Sequence, residues 1–325
     1  MGGKSVFTVP NKSVINFKSG FGKKLLCDDM TFTTGTACQY SCSFCYVESQ
    51  TFKMNAWHKK HGVVGNHSDI VIRRANPIEV AREQLKNAKD KDKPLVIYAS
   101  PLVDVAANMD LVRETVEMCK LIFAETNWHI RLLSKSNLLP KIAEALDAHP
   151  GPFLKSQFSY SPRSRVIYGV STGTLDDKLA QAFEEGCPLV SKRIASLHWL
   201  QDNGFRTFGM ICPSLPQESW RAYRDFSIAC RDAIRAERCE HIWAEPINVR
   251  GESFERTLKA LVDAGFDNEA VRLDAVMRYK DKWEDYARWT FQAHATDLPI
   301  EKLRFLQYVN KSNEAWWTQP GVVKL

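Results

Sequence analysis

Between residues 30 and 265, short apolar runs alternate with longer amphipathic stretches, and this is the dominant pattern of the chain. The runs are rich in β-branched and aromatic residues, which is typical of buried strands. In the stretches that follow them, apolar residues recur every three to four positions, which predicts helices. Strands are therefore predicted at 31–34, 94–98, 129–133, 165–170, 205–211 and 242–249, and helices at 77–87, 110–125, 138–146, 190–203, 217–236 and 254–264.

Six strands alternating with helices predict an α/β fold with a parallel sheet and right-handed crossovers. The pattern alone does not separate an open sheet from a barrel. In either architecture, functional residues belong at the carboxyl ends of the strands. We expect an irregular lead-in at 1–29, the α/β region at 30–265 and a C-terminal aromatic-rich helical extension at 266–325.

The extension carries aromatic residues at helical spacing, namely Tyr279, Trp283, Tyr286 and Trp289. Such a stripe predicts one helix face. The stripe either packs on the α/β region or forms a wall over its functional end. The same two interpretations hold for the Trp316-Trp317 pair near the end of the sequence.

The composition is that of a globular protein, with 325 residues, 44% hydrophobic and 25% charged. No apolar run is long enough for a membrane span, and the first residues lack the apolar core of a secretory signal. Nine cysteines, an odd number, favour a reducing cytoplasmic location over a disulfide framework. The net charge of +6 permits a nucleic-acid partner but does not require one.

Three of the cysteines lie within one short stretch, Cys38, Cys42 and Cys45. Thiolates select iron–sulfur clusters, zinc or Cu(I). A [4Fe–4S] cluster needs four ligands, so three local thiolates would leave one iron open. An open iron beside an aromatic side chain, here Phe44, indicates a catalytic site.

Two simpler interpretations compete with a cluster. The three thiolates could bind zinc with His58, His61 or His67, although zinc ribbons usually pair two separated Cys-x2-Cys halves and the chain has no second half. A redox pair of Cys42 and Cys45 would leave Cys38 unexplained. The three histidines are expected to be solvated or to face substrate.

The Cys-x3-Cys-x2-Cys spacing, with an aromatic residue before the last cysteine, resembles the signature of the radical S-adenosylmethionine (SAM) superfamily. In that superfamily SAM chelates the open iron, and an electron from the cluster cleaves it to methionine and a 5′-deoxyadenosyl radical. The resemblance therefore implies a [4Fe–4S] cluster on Cys38, Cys42 and Cys45, with Phe44 beside the adenine. It also implies a partial (β/α)6 TIM-like barrel and an external electron donor, flavodoxin or ferredoxin.

The predicted strands end in polar residues, namely Ser100, Ser134 and Lys135, Ser171, Cys212, and Glu245 with Asn248. The chain resembles the spore photoproduct lyase branch of the superfamily in Ser134-Lys135 after the third strand, Ser171 after the fourth, and Ser191-Lys192-Arg193 opening a helix with Gly204-Phe205 behind it. Most members of the superfamily carry a Gly-Gly-Glu type motif after the second strand, and this chain lacks it.

The resemblance assigns roles to these residues. Ser134 and Lys135 would bind the SAM carboxylate and Ser171 the ribose, while Arg193 would bind the carboxylate or support its loop. Ser100 and Asn248 are also predicted to contact the cofactor, because each lies at the end of a predicted strand. A cation facing a carboxylate in a dry site forms strong hydrogen bonds.

Two further residues are candidates for the catalytic step. Cys212 is the best-placed hydrogen donor and Cys187 the second, although buried cysteines are commonly structural. Glu245 would orient a substrate amide or amine, or pair with Arg250.

Two enzyme classes follow from the resemblance. One is a maturase that modifies or excises part of a ribosomally made peptide, with substrate recognition by a separate protein. The alternative is a nucleic-acid lyase or base-modifying enzyme, which needs phosphate contacts and base flipping. The sequence has no concentrated basic stripe, so we favour the peptide substrate.

Overall fold

A computed structural model describes residues 4–148, 162–247 and 252–325. It shows a mixed α/β fold with a largely parallel sheet. The strands are β1 Ser5–Val9, β2 Ile15–Asn16, β3 Met30–Phe32, β4 Gly35–Ala37, β5 Ser41–Cys42, β6 Ile70–Arg74, β7 Val96–Ala99, β8 His129–Ser134, β9 Val166–Thr172, β10 Glu184–Glu185, β11 Arg206–Ser214, β12 Ile242–Pro246, β13 Leu303–Gln307 and β14 Val322–Lys324.

The helices vary in length from one turn to five. They are α1 Phe21–Lys24, α2 Val47–Thr51, α3 Asn55–Lys60, α4 Pro77–Lys86, α5 Met109–Glu125, α6 Leu139–Asp147, α7 Pro162–Arg165, α8 Asp177–Phe183, α9 Val190–Asp202, α10 Trp220–Ala233, α11 Ser253–Asp263, α12 Asp267–Arg278 and α13 Lys280–Asp297. Short 3₁₀ turns occur at Phe52–Met54, His67–Asp69 and Ala236–Arg238. None of the described helices is long and apolar enough to cross a membrane.

The first of two compact units comprises Met1–Ser41, Val47–Gly169 and Asp202–Arg206. Its main strands lie in the order β2-β3-β7-β8-β9, with β3, β7 and β8 parallel and β2 antiparallel to β3. A smaller sheet has the order β1-β6-β4, with β1 parallel and β4 antiparallel to β6.

Helix α5 shows why these segments fold as the pattern predicts. The Asn108 side chain caps its first turn by accepting a hydrogen bond from the Leu111 N–H at 2.9 Å. Its apolar stripe, including Met118, Ile122 and Phe123, is fully buried. Burying such side chains stabilises the fold by roughly 1.5–3 kcal/mol each.

The second unit comprises Cys42–Tyr46, Val170–Gln201 and Thr207–Leu325. Its strands lie in the order β9-β11-β12-β13-β14, and β11 to β14 are parallel. Its core includes Phe183, Tyr223, Leu261, Leu273 and Tyr286.

The predicted strands and helices of the α/β region are all present, within a few residues of the expected bounds. Two expectations were wrong in detail. The lead-in predicted to be irregular contains β1 and β2, and the extension predicted to be helical also contains β13 and β14. Strand β1 pairs with β6, and β13 pairs with β12 on one edge and with β14 on the other. A local sequence pattern does not reveal such pairings. The barrel and the domain boundaries remain predictions.

Of the aromatic stripe on α13, Tyr286 is buried and donates to the Ser214 carbonyl oxygen. Trp289 is 44% exposed and stacks edge-on against Tyr223, with ring centroids 5.8 Å apart. The Trp316-Trp317 pair packs on Phe291 of the same helix. Trp283 also packs against the core of this unit, whereas Tyr279 is 59% exposed. The stripe therefore packs against its unit at Trp283 and Tyr286 and is open to solvent at its two ends.

Candidate active site

The clustered cysteines differ from most of the other cysteines in their solvent exposure. Cys38, Cys42 and Cys45 are half-buried, as is Cys212. The other cysteines are buried, namely Cys27, Cys119, Cys187, Cys230 and Cys239. Burial raises the pKa of the Cys27 and Cys239 thiols to about 12. Buried thiols of this kind are protonated and unsuited to binding a metal.

Cys38 belongs to the first unit and is held by polar contacts on both its backbone and its sulfur. The backbone N–H of Asp104 donates to Cys38 Sγ at 3.4 Å. The Lys4 ammonium group donates to the carbonyl oxygens of Cys38 and Tyr40, at 3.2 and 2.9 Å. Amide donors to sulfur stabilise the thiolate and tune iron–sulfur clusters.

Cys42 and Cys45 belong to the second unit. The Cys45 N–H donates to the Cys42 carbonyl at 3.1 Å, and Arg256 donates to the Cys45 carbonyl at 2.8 Å. The sulfur atoms of Cys42 and Cys187 lie 3.6 Å apart. The phenyl ring of Phe44 packs against Phe183, with ring centroids 5.7 Å apart. These contacts order the end of the cysteine loop within its unit.

Across the described residues, no group of three His, Cys, Asp or Glu side chains is close enough to hold a metal ion. The cluster assignment therefore rests on the spacing and chemistry of the three thiols. His58, expected to be solvated or to face substrate, is buried, and its Nε2 lies 3.2 Å from Thr36 Oγ1.

Asp104 connects Cys38 to two predicted cofactor residues. Its carboxylate accepts hydrogen bonds from Ser134 Oγ and from the Lys135 N–H, both at 2.7 Å, and from the Ala106 N–H at 2.9 Å. Burial raises the pKa of this carboxyl, and the three donors oppose that shift. Sequence reasoning missed Asp104, although an acidic residue in the loop after a predicted strand end was the available signal.

Ser100 follows β7 in a left-handed backbone conformation, with φ of 52°. Non-glycine residues seldom adopt this conformation, and such strain is concentrated at functional sites. Ser100 Oγ lies 3.4 Å from Thr33 Oγ1. Six non-glycine residues of the described chain have positive φ, Ser100 among them, and its contact with the cofactor stays a prediction.

Arg193 is deeply buried in the second unit. Its guanidinium lies 2.5 Å from the Glu184 carboxylate, and the two side chains are 1% and 0% exposed. It also donates to the carbonyl oxygens of Pro188 and Ser171. Burial is the largest single influence on the pKa of Arg193 and lowers it, but Glu184, with smaller contributions from Cys187 and Cys42, raises the pKa overall. These are contacts of a residue that supports a loop, and sequence reasoning did not identify Glu184 as its partner.

The two residues expected to act in catalysis lie together. Cys212 Sγ is 3.4 Å from Glu245 Oε2, and Ser171 Oγ lies 3.4 Å from the Cys212 carbonyl oxygen. The parallel pairing of Ile211 with Ala244 brings the two strand ends to the same level. Asn248 and Arg250 lie outside the described residues.

No protein-family model and no curated protein matches the chain. Solved structures do match it. A variant of spore photoproduct lyase superimposes with a TM-score of 0.54 at 12% identity, over 78% of this chain and 66% of that one.

The fold is similar to that of spore photoproduct lyase. A second variant, with bound AdoMet and dinucleoside spore photoproduct, gives a TM-score of 0.53 at 11% identity, with the same coverage. Spore photoproduct lyase complexed with dinucleoside spore photoproduct gives 0.52 at 11% identity, again over 78% and 66% of the two chains. The match thus spans slightly less than two thirds of spore photoproduct lyase. It confirms at the level of the fold the resemblance inferred from the cysteine motif.

Proposed function

We propose that the protein is a radical SAM enzyme that abstracts hydrogen from a peptide substrate. The observation that carries the proposal is the Cys38, Cys42 and Cys45 triplet on a chain whose fold is similar to spore photoproduct lyase. The proposal includes a partial (β/α)6 barrel and a cytoplasmic setting, where thiols stay reduced.

The residues of the triplet fit a [4Fe–4S] cluster in their donor chemistry. The three residues are half-buried, unlike the five buried cysteines, and Cys38 Sγ accepts an amide hydrogen bond. When bound, the cluster would supply the single electron that cleaves SAM. Flavodoxin or ferredoxin would supply electrons in turn.

Binding of SAM is proposed for the polar residues at the strand ends. Ser134 and Lys135 would bind its carboxylate, and Asp104 fixes the backbone and hydroxyl of that turn. Ser171 would lie at the ribose, with Arg193 supporting its carbonyl. Ser100, Phe44 and Asn248 complete the proposed cofactor contacts, the last from sequence alone.

Cys212 and Glu245 are proposed to act on the substrate. The thiol of Cys212 would donate a hydrogen atom to a substrate radical, which forms a C–H bond and leaves a thiyl radical on the Cys212 sulfur. Glu245 accepts the S–H hydrogen bond and so would hold the thiol in position. A carboxylate at this place also suits the amide or amine of a peptide, because it accepts hydrogen bonds from N–H groups. Recognition of the peptide would involve a separate protein.

The first test is anaerobic turnover of the reconstituted protein with SAM and reductant. Cys42→Ala is expected to abolish iron binding, the absorbance near 400 nm and 5′-deoxyadenosine formation together. Cys230→Ala, which removes a buried thiol, should retain all three. A Cys42→Ala protein that still forms 5′-deoxyadenosine at the wild-type rate would overturn the proposal, and zinc without iron would indicate a zinc site.

The same assay distinguishes the substrate classes. Ultraviolet-irradiated DNA is added to one sample, and restored thymine is measured with 5′-deoxyadenosine. Restored thymine would establish the nucleic-acid lyase and exclude the peptide assignment. 5′-Deoxyadenosine that DNA leaves unchanged is the result we expect, and it directs the search to peptides.

A further inference from the structure

The first unit contains a cavity of about 710 Å³, which is within the size range of small-ligand sites. Its walls come from strands β1, β2, β3, β4 and β6, the loops around them, and helices α2 and α3. Hydroxyl and amide side chains line part of it, namely Asn11, Ser13, Asn16, Ser19, Thr31, Thr33, Thr36 and Gln50. Apolar groups line the rest, among them Val14, Met54, Trp57, Pro101 and Leu102. None of the cysteines lines this cavity.

The charge of the cavity is positive. Lys12, Arg74 and His58 line it, and no aspartate or glutamate does so among the described residues. Burial, together with the neighbouring Arg74 and His61 charges, lowers the pKa of His58 and so disfavours its charged form. Lys12 is exposed to solvent. The partly buried charge of the cavity therefore comes from Arg74.

Arg74 has an unusual set of partners for a partly buried guanidinium. Its Nη1 donates to the carbonyl oxygens of Ser13 and Thr33, at 2.7 and 3.0 Å. Among the described residues, no carboxylate lies within ion-pair distance of it. The adjacent Arg73 has such a partner, with the Glu114 carboxylate at 2.6 Å. Burial lowers the pKa of Arg74 to about 10, as expected for a charge that carbonyl dipoles compensate only in part.

An anion bound in the cavity would form the ion pair that the Arg74 guanidinium does not form with any described carboxylate. Arginine binds carboxylates and phosphates through paired N–H donors, and such bonds are about twice as strong as neutral ones. One partly buried positive charge matches a singly charged group, such as a carboxylate or a phosphodiester, better than a doubly charged phosphate monoester. The apolar wall, with Met54, Trp57 and Leu102, suits an aliphatic or aromatic body attached to that carboxylate.

We propose that this cavity binds a carboxylate of the peptide substrate, from its C-terminus or an acidic side chain, with Arg74 as the anchor. The inference rests on the proposed function for the identity of the ligand as a peptide. The anion site itself depends only on the cavity and its charges. Thr33 and the loop residues Pro101 and Leu102 line the cavity beside Ser100, so a bound peptide would lie next to a residue proposed to contact SAM.

The test measures equilibrium binding of small probes to the 325-residue chain by titration calorimetry. N-Acetylleucine carries the carboxylate and the apolar body, whereas N-acetylleucinamide has the same body without the charge. Inorganic phosphate and thymidine 5′-monophosphate test the phosphate class. We expect N-acetylleucine to bind at least about tenfold more tightly than its amide, because the charge-assisted bonds are lost in the amide.

Two variants locate the site. Arg74→Gln should remove the roughly tenfold preference for the acid over the amide. Lys18→Gln removes an exposed charge that does not line the cavity, and it should change the dissociation constant less than about threefold. Because Arg74 also bonds the backbone, Trp57→Ala provides a second variant. Trp57 is 39% exposed, so its removal should spare the fold yet weaken binding of both leucine probes.

Three results would overturn the inference. These are equal affinity for acid and amide in the wild-type chain, a preference for the acid that survives Arg74→Gln, and tighter Arg74-dependent binding of thymidine 5′-monophosphate. The last would assign the cavity to a nucleotide phosphate. Since these measurements require no cluster, they are independent of 5′-deoxyadenosine formation. A protein that forms 5′-deoxyadenosine but lacks the binding site would refute this inference and leave the radical chemistry intact.

Discussion

Asp104 offers a direct test of how the strand-end loops are held. In the structure its carboxylate accepts three hydrogen bonds, from Ser134 Oγ, the Lys135 N–H and the Ala106 N–H. Asp104→Asn is the smallest perturbation, because it keeps the shape of the side chain but replaces one acceptor oxygen by a donor. In the less damaging orientation the new amide nitrogen faces the Lys135 N–H, so that one hydrogen bond is lost and two donors oppose each other.

The magnitude follows from that single contact. Loss of a hydrogen bond to a charged group, with a buried donor left unpaired, costs about 1–3 kcal/mol. The Lys135 N–H should therefore exchange with solvent about 5- to 140-fold faster in the variant, since each 1.4 kcal/mol corresponds to a factor of ten. Binding of SAM should weaken as well if Ser134 and Lys135 bind it as proposed.

Hydrogen–deuterium exchange resolved to the 134–136 segment measures the local effect. Asp110→Asn is the matched control, because Asp110 is a surface residue in the same unit and pairs only with exposed Arg113 among the contacts described. It should leave exchange at 134–136 unchanged. Equal exchange of this segment in wild type and Asp104→Asn would refute the assignment of Asp104 as the anchor.

The pH dependence gives an independent check. Burial raises the pKa of Asp104 in the folded protein, so the folded state retains a proton that the unfolded state loses above its pKa of about 3.9. The stability contributed by this group is therefore present at low pH and falls as pH rises through the folded pKa. The difference in stability between wild type and Asp104→Asn should be larger near pH 4 than at pH 7. A difference that increases with pH would mean that the three donors dominate over burial.

Two further predictions concern the second unit. Glu184→Gln is expected to lower the free energy of unfolding by about 3–5 kcal/mol, because it leaves the buried Arg193 charge unpaired. Urea denaturation measures the free energy of unfolding. The double variant Glu184→Leu with Arg193→Met should recover most of the lost stability. A destabilisation by Glu184→Gln of less than about 1 kcal/mol would contradict the burial argument. Cys212→Ala should still allow 5′-deoxyadenosine formation but lower the yield of hydrogen-quenched product by at least about tenfold, as measured by mass spectrometry after turnover in deuterated solvent. An unchanged product yield would exclude Cys212 as the hydrogen donor.

The sequence revealed some of the candidate functional residues but not others. The cysteine triplet and the polar strand ends were visible because parallel strands place their carboxyl ends at one edge. The pairing of Cys212 with Glu245 follows from that rule and from adjacent strands. Asp104 and Glu184 were not visible, since each acts through a partner about 30 or about 10 positions away.

By itself, the sequence determined the alternation of strands and helices, their approximate bounds and the spacing of the three thiols. These features depend on apolar periodicity, helix caps and residues close together in the chain, so a local pattern carries them. Tertiary structure alone decided that β1 and β13 join sheets, that His58 is buried, and that Arg74 faces a cavity without a carboxylate among the described residues. Those outcomes depend on which distant segments pack together. A single sequence does not encode such partners in any short stretch, because burial and charge pairing are properties of the assembled interior.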